Sequence, residues 1–439
     1  MKRYDSYKDS GVEWIGEIPT SWSKLKIKHL FSHTKGKNGQ KLTKEYIGNN
    51  PGEYPVYSGT TKGEGHLGRT NEYEFDTCGE DVIFVSTVGS DTTVMSTKVL
   101  KGRFNLSQNC LIMTPKFDFS TKYQYYFTIH DFPYQRTVLP IVLKEGHRSV
   151  GMGELNELIS LLPPLFEQQQ IVSFLDTKTS LIDSLIEKTK RKIELLKEKR
   201  TSLINEVVTK GLNPNVEMKD SGVEWIGEIP SGWETPQIRF VTELMRGKFT
   251  HRPRNDQRFY NGEYPFIQTG DIVSSGKYLT KFKQTLNERG YSVSKEFPIG
   301  TLVMTISGNI GDVSILKIKS CFPDSIIGFF PFDNTSVDYL YHVFNSLRQE
   351  FYKNSTVSTQ MNLNVDRVGS IKIPLPTINE QQQIVEYLDE QTGLIDNTIS
   401  IEEKRIELLK EYRQSIISEV VTGKQKVVES ENLLNLIMD

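Results

Sequence analysis

No run of 18 apolar residues occurs in the 439-residue chain, so no segment is long and apolar enough to span a bilayer as a helix. Cysteine is scarce: Cys78, Cys110 and Cys321 lie scattered without C-x-x-C spacing, which argues against a disulfide framework or a zinc site and leaves them as small buried hydrophobes. The opening Met1-Lys2-Arg3-Tyr4-Asp5-Ser6 has no apolar signal-peptide core, so a cytoplasmic protein without a membrane partner is expected.

Catalytic motifs are scarce too. Gly63-Glu64-Gly65-His66-Leu67-Gly68-Arg69-Thr70 approaches a phosphate-binding loop, but Arg stands where Lys is needed and Asn71 to Phe75 opens no convincing helix. His29 and His33 have i, i+4 spacing without H-E-x-x-H or a third ligand. Neither an Asn-Pro-Pro-aromatic motif of amino-methyltransferases nor a glycine-rich cofactor loop nor a hydrolase constellation is present. We therefore assign no catalytic residue, metal ligand or cofactor to this chain.

Net charge is close to zero, at -2, yet that sum hides a division. Residues 20 to 160 hold 17 Lys and Arg against 14 Asp and Glu, and residues 231 to 378 hold 17 against 13. Two mildly basic blocks sit in an acidic frame, a weak pointer to nucleic acid.

What the sequence has is a long repeat. Lys8 to Pro19 returns letter for letter as Lys219 to Pro230; Glu167-Gln168-Gln169-Gln170-Ile171-Val172 returns as Glu380 to Val385, and Glu206-Val207-Val208-Thr209 as Glu419 to Thr422. A period this long is a tandem pair of domains, since solenoid units run about 20 to 50 residues.

Each unit ends in a long helix, expected first over about Glu167 to Thr209, between Pro163-Pro164 and Gly211. One heptad seam carries Val172, Thr179, Ile186, Ile193, Arg200 and Val207 at a, with Leu175, Ile182, Thr189, Leu196 and Leu203 at d. The second carries Val385, Thr392, Ile399, Ile406, Arg413 and Val420 at a, with Leu388, Ile395, Glu402, Leu409 and Ile416 at d. Matching layers of this kind should pair as an antiparallel coiled coil; the alternative is that each stripe packs on its own domain. A second stripe, Phe174, Leu181 and Leu195 with Tyr387, Leu394, Ile401 and Leu408, packs either on the blocks or on another subunit.

The blocks have short β-rich runs, such as Val82 to Val85, Cys110 to Met113, Thr301 to Met304 and Val313 to Leu316. Helical stretches follow at Tyr123 to Ile129 and Val337 to Phe351. The fold expected is α+β: two globular α+β domains in tandem, separated by two long helices. Glu53-Tyr54-Pro55 answers Glu263-Tyr264-Pro265, but the loops beyond diverge, as two readers of different sites on one scaffold would. Polar loop residues that can bond phosphates or base edges are Ser58, Thr60, Thr61, Lys62, Arg69, Ser86, Thr87, Ser90, Lys144, His147 and Arg148 in the first block. In the second they are Gln268, Thr269, Lys277, Ser307, Asn309, Gln360, Asn362 and Asn364.

Leu162-Pro163-Pro164-Leu165-Phe166-Glu167-Gln168-Gln169-Gln170-Ile171-Val172, its echo from Leu375 to Val385, and the repeated Gly-Val-Glu-Trp-Ile-Gly-Glu-Ile-Pro resemble the specificity subunit of type I restriction-modification enzymes. The resemblance covers essentially the whole chain. It implies an N-terminal target recognition domain (residues 1–162), a first spacer helix (163–211), a C-terminal target recognition domain (212–375), a second spacer helix (376–424) and a tail (425–439). It further implies a non-catalytic subunit that reads a bipartite, asymmetric site in double-stranded DNA and directs adenine methylation and restriction by its partners. Those partners are two methyltransferase (M) subunits and restriction/translocase (R) subunits, which would hold S-adenosylmethionine, ATP and Mg, with the target base flipped from the duplex. The alternatives are a specificity subunit whose partner fuses methyltransferase and nuclease, or a coiled-coil scaffold that binds no DNA.

Overall fold

Pro163 and Pro164 bring no amide hydrogen to a helix start, where none could be paired, and directly after them Leu165–Lys210 runs as one 46-residue helix. The second long helix, Ile378–Val421, has 44 residues. Its start is a capping box, in which the Thr377 amide donates to Glu380 Oε2 at 3.1 Å and the Glu380 amide to Thr377 Oγ1 at 3.4 Å. Both helices stop at a glycine in the left-handed region, Gly211 (φ +72) and Gly423 (φ +73). There is no room for a side chain at either: a Cβ would stand 3.0 Å from Trp233 at Gly211 and 2.4 Å from Pro19 at Gly423.

The structure, a computed structural model, describes residues 2–60, 65–90, 93–138, 142–144, 147–251, 253–353 and 363–427. Contacts divide the chain into a unit of residues 1–189 with 404–439 and a unit of residues 190–403. The division falls inside both long helices, so each unit holds a globular block, the amino-terminal half of one helix and the carboxy-terminal half of the other.

In the first unit an antiparallel sheet has the order Thr97–Leu100, Val82–Ser86, Cys110–Pro115, Phe31–Lys35. A second sheet orders His66–Thr70, Pro51–Tyr57, Arg103–Leu106 and Phe75–Asp76. The second unit repeats the plan: Thr242–Arg246, Ile326–Pro331, Leu302–Thr305, Val313–Leu316 and Tyr278–Leu279 form one sheet. Gln284–Leu286, Tyr260–Phe266, Ser320–Cys321 and Glu296–Phe297 form the other. The helix expected from Tyr123 is Thr121–Val138, and that expected from Val337 is Val337–Ser346, followed by Arg348–Lys353. The resemblance to a phosphate-binding loop fails on geometry, because His66–Thr70 is a strand. His29 and His33 share no helical face either: the chain turns from the short helix Ile27–Leu30 to the strand Phe31–Lys35 between them.

The helices pair antiparallel within each unit. In the first, Asp183 takes a bidentate bond from Arg413 at 2.9 and 3.3 Å; in the second, Arg200 bonds Asp396 at 2.9 Å and Lys192 bonds Glu402 at 2.6 Å. The first two pairs are the same pair 213 positions apart, which is the repeat offset. Val172, Leu175, Ile182, Ile186, Ile193, Leu196, Leu203, Val385, Leu388, Ile395, Ile399, Ile406, Leu409 and Ile416 are all buried or half-buried. The polar layers are accommodated locally: Thr179, Thr189 and Thr392 turn their hydroxyls onto the carbonyl four residues back, at 2.7, 2.8 and 2.6 Å. In the second stripe Phe174 packs on its unit's core, whereas Leu181, Leu195, Tyr387, Leu394, Ile401 and Leu408 stay exposed.

The duplicated letters now have structural duties. Trp22 Nε1 donates to Glu167 Oε2 at 3.1 Å, and Trp233 Nε1 to Glu380 Oε1 at 3.3 Å. Gln168 is fully buried, accepting from the Ser120 amide and donating to Pro163 O, both at 2.8 Å. Gln381 does the same for the Ser336 amide at 2.8 Å and Pro376 O at 3.0 Å. Tyr123 and Tyr339, both fully buried, reach Val421 O at 3.0 Å and Val208 O at 3.5 Å on the ends of the opposing helices. The glutamine amide therefore ties each globular block to the start of its own long helix. Gln168→Ala and Gln381→Ala each leave a buried amide and carbonyl unpaired, and should each cost roughly 2 to 4 kcal/mol. Thermal melting checks this, and a loss confined to one of the two would contradict their equivalence.

One duplicated residue has lost its symmetry. Trp14 Nε1 donates to Asp131 Oδ1 at 2.8 Å, while Trp225 Nε1 is buried with no partner among the described residues. Burial pushes the Asp131 carboxyl up to about 6, against the Trp14 and Gln135 hydrogen bonds that favour its charge. A carboxyl raised in the folded state stabilises it below its ordinary value of 3.8, and that contribution is lost as pH rises through about 6. Asp131→Asn should therefore melt higher than the wild type at about pH 8, by on the order of 2 to 3 kcal/mol in stability. The gain should shrink at about pH 5; equal melting at the higher pH would refute the buried charge.

Candidate nucleic-acid interface

The polar stretches of the first block come together. Val88–Gly89 pairs with His147–Ser149, which pairs in turn with Val142–Lys144. Gly59 lies against the same loop, since a Cβ there would stand 3.3 Å from Ser86 Cβ. Lys98 fastens the next segment: its Nζ donates to Thr60 O at 3.1 Å and Gly65 O at 2.7 Å and lies 5.5 Å from the Phe84 ring centre. Burial lowers the proton affinity of this ammonium below the usual lysine range. Backbone strain accompanies the loop: Met95, fully buried, is left-handed (φ 57), as is Asn109 (φ 65).

Within that cluster the side chains divide by role. Ser86 is buried, donating to Thr93 O at 2.7 Å, and Thr87 is buried, donating to Asn109 O at 2.8 Å. Both hold the loop rather than present it. Ser58 is also buried and accepts the Thr60 amide at 3.3 Å. Ser90 is exposed, with its amide on Thr93 Oγ1 at 2.9 Å; Arg148 is half-buried on its strand. Arg69 is exposed on the strand His66–Thr70 and reaches Glu53 O at 3.0 Å. Thr61 and Lys62 lie outside the described residues, as do the side chains of Lys144 and His147.

In the second block Ser307 and Asn309 sit on the loop joining Leu302–Thr305 to Val313–Leu316, turned by the left-handed Gly308 and Gly311. Leu363 donates its amide to Ile306 O at 3.1 Å, as Val150 does to Thr87 O at 2.9 Å in the first block. Asn364 follows and is used as a cap, accepting from the Arg367 amide at 2.9 Å. Gln268 accepts into the capping box of the helix Thr269–Ser274, which Thr269 opens, and donates to Gln284 Oε1 at 3.0 Å. Gln360 and Asn362 lie outside the described residues.

Lys277 has a different duty from the loop cation expected. Its side chain is 14% exposed and its Nζ lies 2.7 Å from Asp338 Oδ1 and 2.5 Å from Asp389 Oδ2. Burial opposes its charge, yet the two carboxylates hold its proton affinity above the usual lysine range. Asp389, on the second long helix, also takes a 2.9 Å bond from the buried His342. Asp176, the same helix position in the first repeat, is held instead by Tyr126 OH at 2.7 Å and Lys122 at 3.1 Å. Lys277 is thus part of the clamp between block and helix. The signal lies in the aligned Leu175-Asp176 and Leu388-Asp389, where a carboxylate follows the same seam leucine in both copies.

The fold and its paired surfaces define a class: a tandem of two α+β blocks on a shared pair of helices, with matched frames and unlike loops. The family model "Type I restriction modification DNA specificity domain" matches residues 19–195 and again 230–411, and the chain belongs to that family. It is 28% identical over 291 residues to the type I restriction enzyme MjaVIII specificity subunit of Methanocaldococcus jannaschii, an alignment spanning 61% of this chain and 62% of that relative. It is 27% identical to the putative type I specificity subunit S.MpnORF507P of Mycoplasma pneumoniae, over 86% of this chain and 92% of that one. The fold matches a chain from a structural study of type I R-M complex assembly and conformational transition (TM-score 0.70, 16% identity, 93% and 99% covered). It also matches the HsdS subunit from Thermoanaerobacter tengcongensis (TM-score 0.51, 16% identity, 93% and 98% covered).

The clamps differ in how they respond to protons. Burial, with Lys277 and Arg200 nearby, holds the His342 imidazole below its ordinary 6.5 despite Asp389 pulling the other way. A base lowered by folding contributes fully above 6.5, and the contribution is lost as pH falls towards the folded value. His342→Gln keeps a neutral donor for Asp389 but cannot titrate. Between about pH 7.5 and 5.5 the wild type should lose more melting temperature than this variant; parallel losses would show that His342 is not the group responsible.

Proposed function

We propose that this chain is the DNA-reading subunit of a type I restriction-modification complex, each unit gripping one half of a split, asymmetric site. The observation that carries this reading is the divergence of Ser86–Ser90 from Ile306–Ile310 on frames that share the equivalent backbone bonds Val150 to Thr87 and Leu363 to Ile306. Protein loops that differ on a repeated frame suit two unlike half-sites. Family membership supports the same reading.

In this reading the subunit is non-catalytic and works in the cytoplasm. Two methyltransferase subunits and the restriction subunits supply the chemistry, and S-adenosylmethionine, ATP and Mg belong to them. No helix among the described residues is long and apolar enough to cross a membrane. The reading is tested by exchanging residues 231–378 for the block of a relative and mapping methylated adenines in cells that carry the variant with its methyltransferase. One half of the methylated sequence should change and the other persist. Changes in both halves, or in neither, would overturn the modular assignment.

A further inference from the structure

One duplicated feature lies beside the divergent loops and outside the residues singled out above. The chain leaves the edge strand of the corresponding sheet in each unit through a basic residue, a glycine and a lysine: Lys35-Gly36-Lys37 in the first unit and Arg246-Gly247-Lys248 in the second. Their places in the sheets are equivalent. Lys35 stands opposite Leu111, which stands opposite Val85; Arg246 stands opposite Ile327, which stands opposite Met304. Each triplet thus departs from the sheet end that also launches the loop beginning at Ser86 or at Ile306.

The glycines explain why the triplet holds its form. A Cβ at Gly36 would stand 3.1 Å from Leu106 Cβ and from its carbonyl oxygen, and one at Gly247 would stand 2.3 Å from Pro323 O. Neither glycine is left-handed, so the requirement is close approach of the backbone, to Leu106 in the first unit and to Phe322 and Pro323, just past the strand Ser320–Cys321, in the second. The backbone is held there, with the Lys37 amide on Glu74 Oε1 at 2.5 Å and the Lys248 amide on Phe322 O at 3.0 Å. With the glycine pressed inward, the flanking side chains Lys35, Lys37, Arg246 and Lys248 face solvent. The ammonium groups of Lys35, Lys37 and Lys248 make no ion pair among the described residues, and Arg246 bonds only a carbonyl, that of Asp324.

The two repeats serve as each other's control. Readers of different half-sites must differ where they meet base edges, but they meet the same phosphate backbone, so phosphate contacts can be retained in both copies. The loops differ, whereas the triplets keep a positive charge at both flanking positions. We propose that Lys35, Lys37, Arg246 and Lys248 are phosphate-binding residues that hold the duplex backbone beside each reading loop, adding affinity without sequence preference. This rests on the DNA-reading function above.

The test uses the complex assembled with its methyltransferase subunits. Binding to a target duplex and to a scrambled duplex is measured by fluorescence anisotropy across about 50 to 200 mM salt. The pair Lys35→Ala/Lys37→Ala, and separately Arg246→Ala/Lys248→Ala, should weaken both duplexes by the same factor. Each pair should also reduce the salt slope by about two, while the methylated sequence stays the same. Lys35→Arg/Lys37→Arg should keep the wild-type slope. An unchanged slope in the alanine pairs, or a loss confined to the target duplex, overturns the assignment. A wild-type complex that binds neither duplex sinks the DNA-reading function itself, and this inference with it.

Discussion

Both units depend on one buried junction, the first turns of one long helix closed against the last turns of the other. In the first unit Ile171 and Leu175 share a core with Ile416, Ile417, Val420 and Val421; in the second Ile384 and Leu388 share one with Ile204, Val207 and Val208. These residues are nearly all fully buried, and an aliphatic side chain taken out of water contributes about 1.5 to 3 kcal/mol. Several of the duplicated letters serve this junction. Trp22 and Trp233, three residues after the hairpins Tyr7–Asp9 with Glu17–Pro19 and Met218–Asp220 with Glu228–Pro230, cover it and hydrogen-bond the glutamate that opens the helix. The glycine that closes the opposing helix is crowded there, Gly211 by Trp233 and Gly423 by Pro19 and then Trp22.

The junction also explains which residues are free to diverge. At the junction itself the copies agree: Glu167 with Glu380, Gln168 with Gln381, Tyr123 with Tyr339. One step out, the frame is kept but the chemistry drifts. Asp176 and Asp389 occupy one helix position, yet the first is satisfied by Tyr126 and Lys122 and the second by His342 and Lys277. Any donor of the right reach serves a helix carboxylate, so selection for docking does not fix the donor's identity. Further out, the loops share the backbone bonds from Val150 to Thr87 and from Leu363 to Ile306, while their side chains differ.

That gradient is also the gradient of what could be read from the letters. The helical seam was legible because a heptad is a local period, and because two copies of it showed the polar layers to be placed rather than accidental. Strands such as Val82–Ser86 and Leu302–Thr305 were legible as short β-branched runs between turn residues. The clamp was not legible from Lys277, whose partners Asp338 and Asp389 are distant in sequence; a lone lysine near glycine reads as a free cation until the fold closes on it. His29 and His33, which the sequence gives no third ligand, share no face in the fold either, since helical spacing means nothing across a helix-to-strand switch. Ser86 and Thr87 carry hydroxyls suited to a ligand, but burial turned both onto loop carbonyls.

The chain path gives the two units unequal histories despite their equal cores. Residues 190–403 form the second unit without a break, whereas the first unit needs residues 404 onward to complete a core that begins near Val12. Tyr123 waits for Val421, and Trp22 for the turn at Gly423. Closing so long a loop costs more chain entropy than closing a local one, though the penalty grows only with the logarithm of length. The seam offsets that cost, because each layer added between the helices brings the next into register. A duplicated helix is thus more than a link between two readers. It lets the end of the chain complete a block whose other parts were made first, while the loops of that block remain free to change.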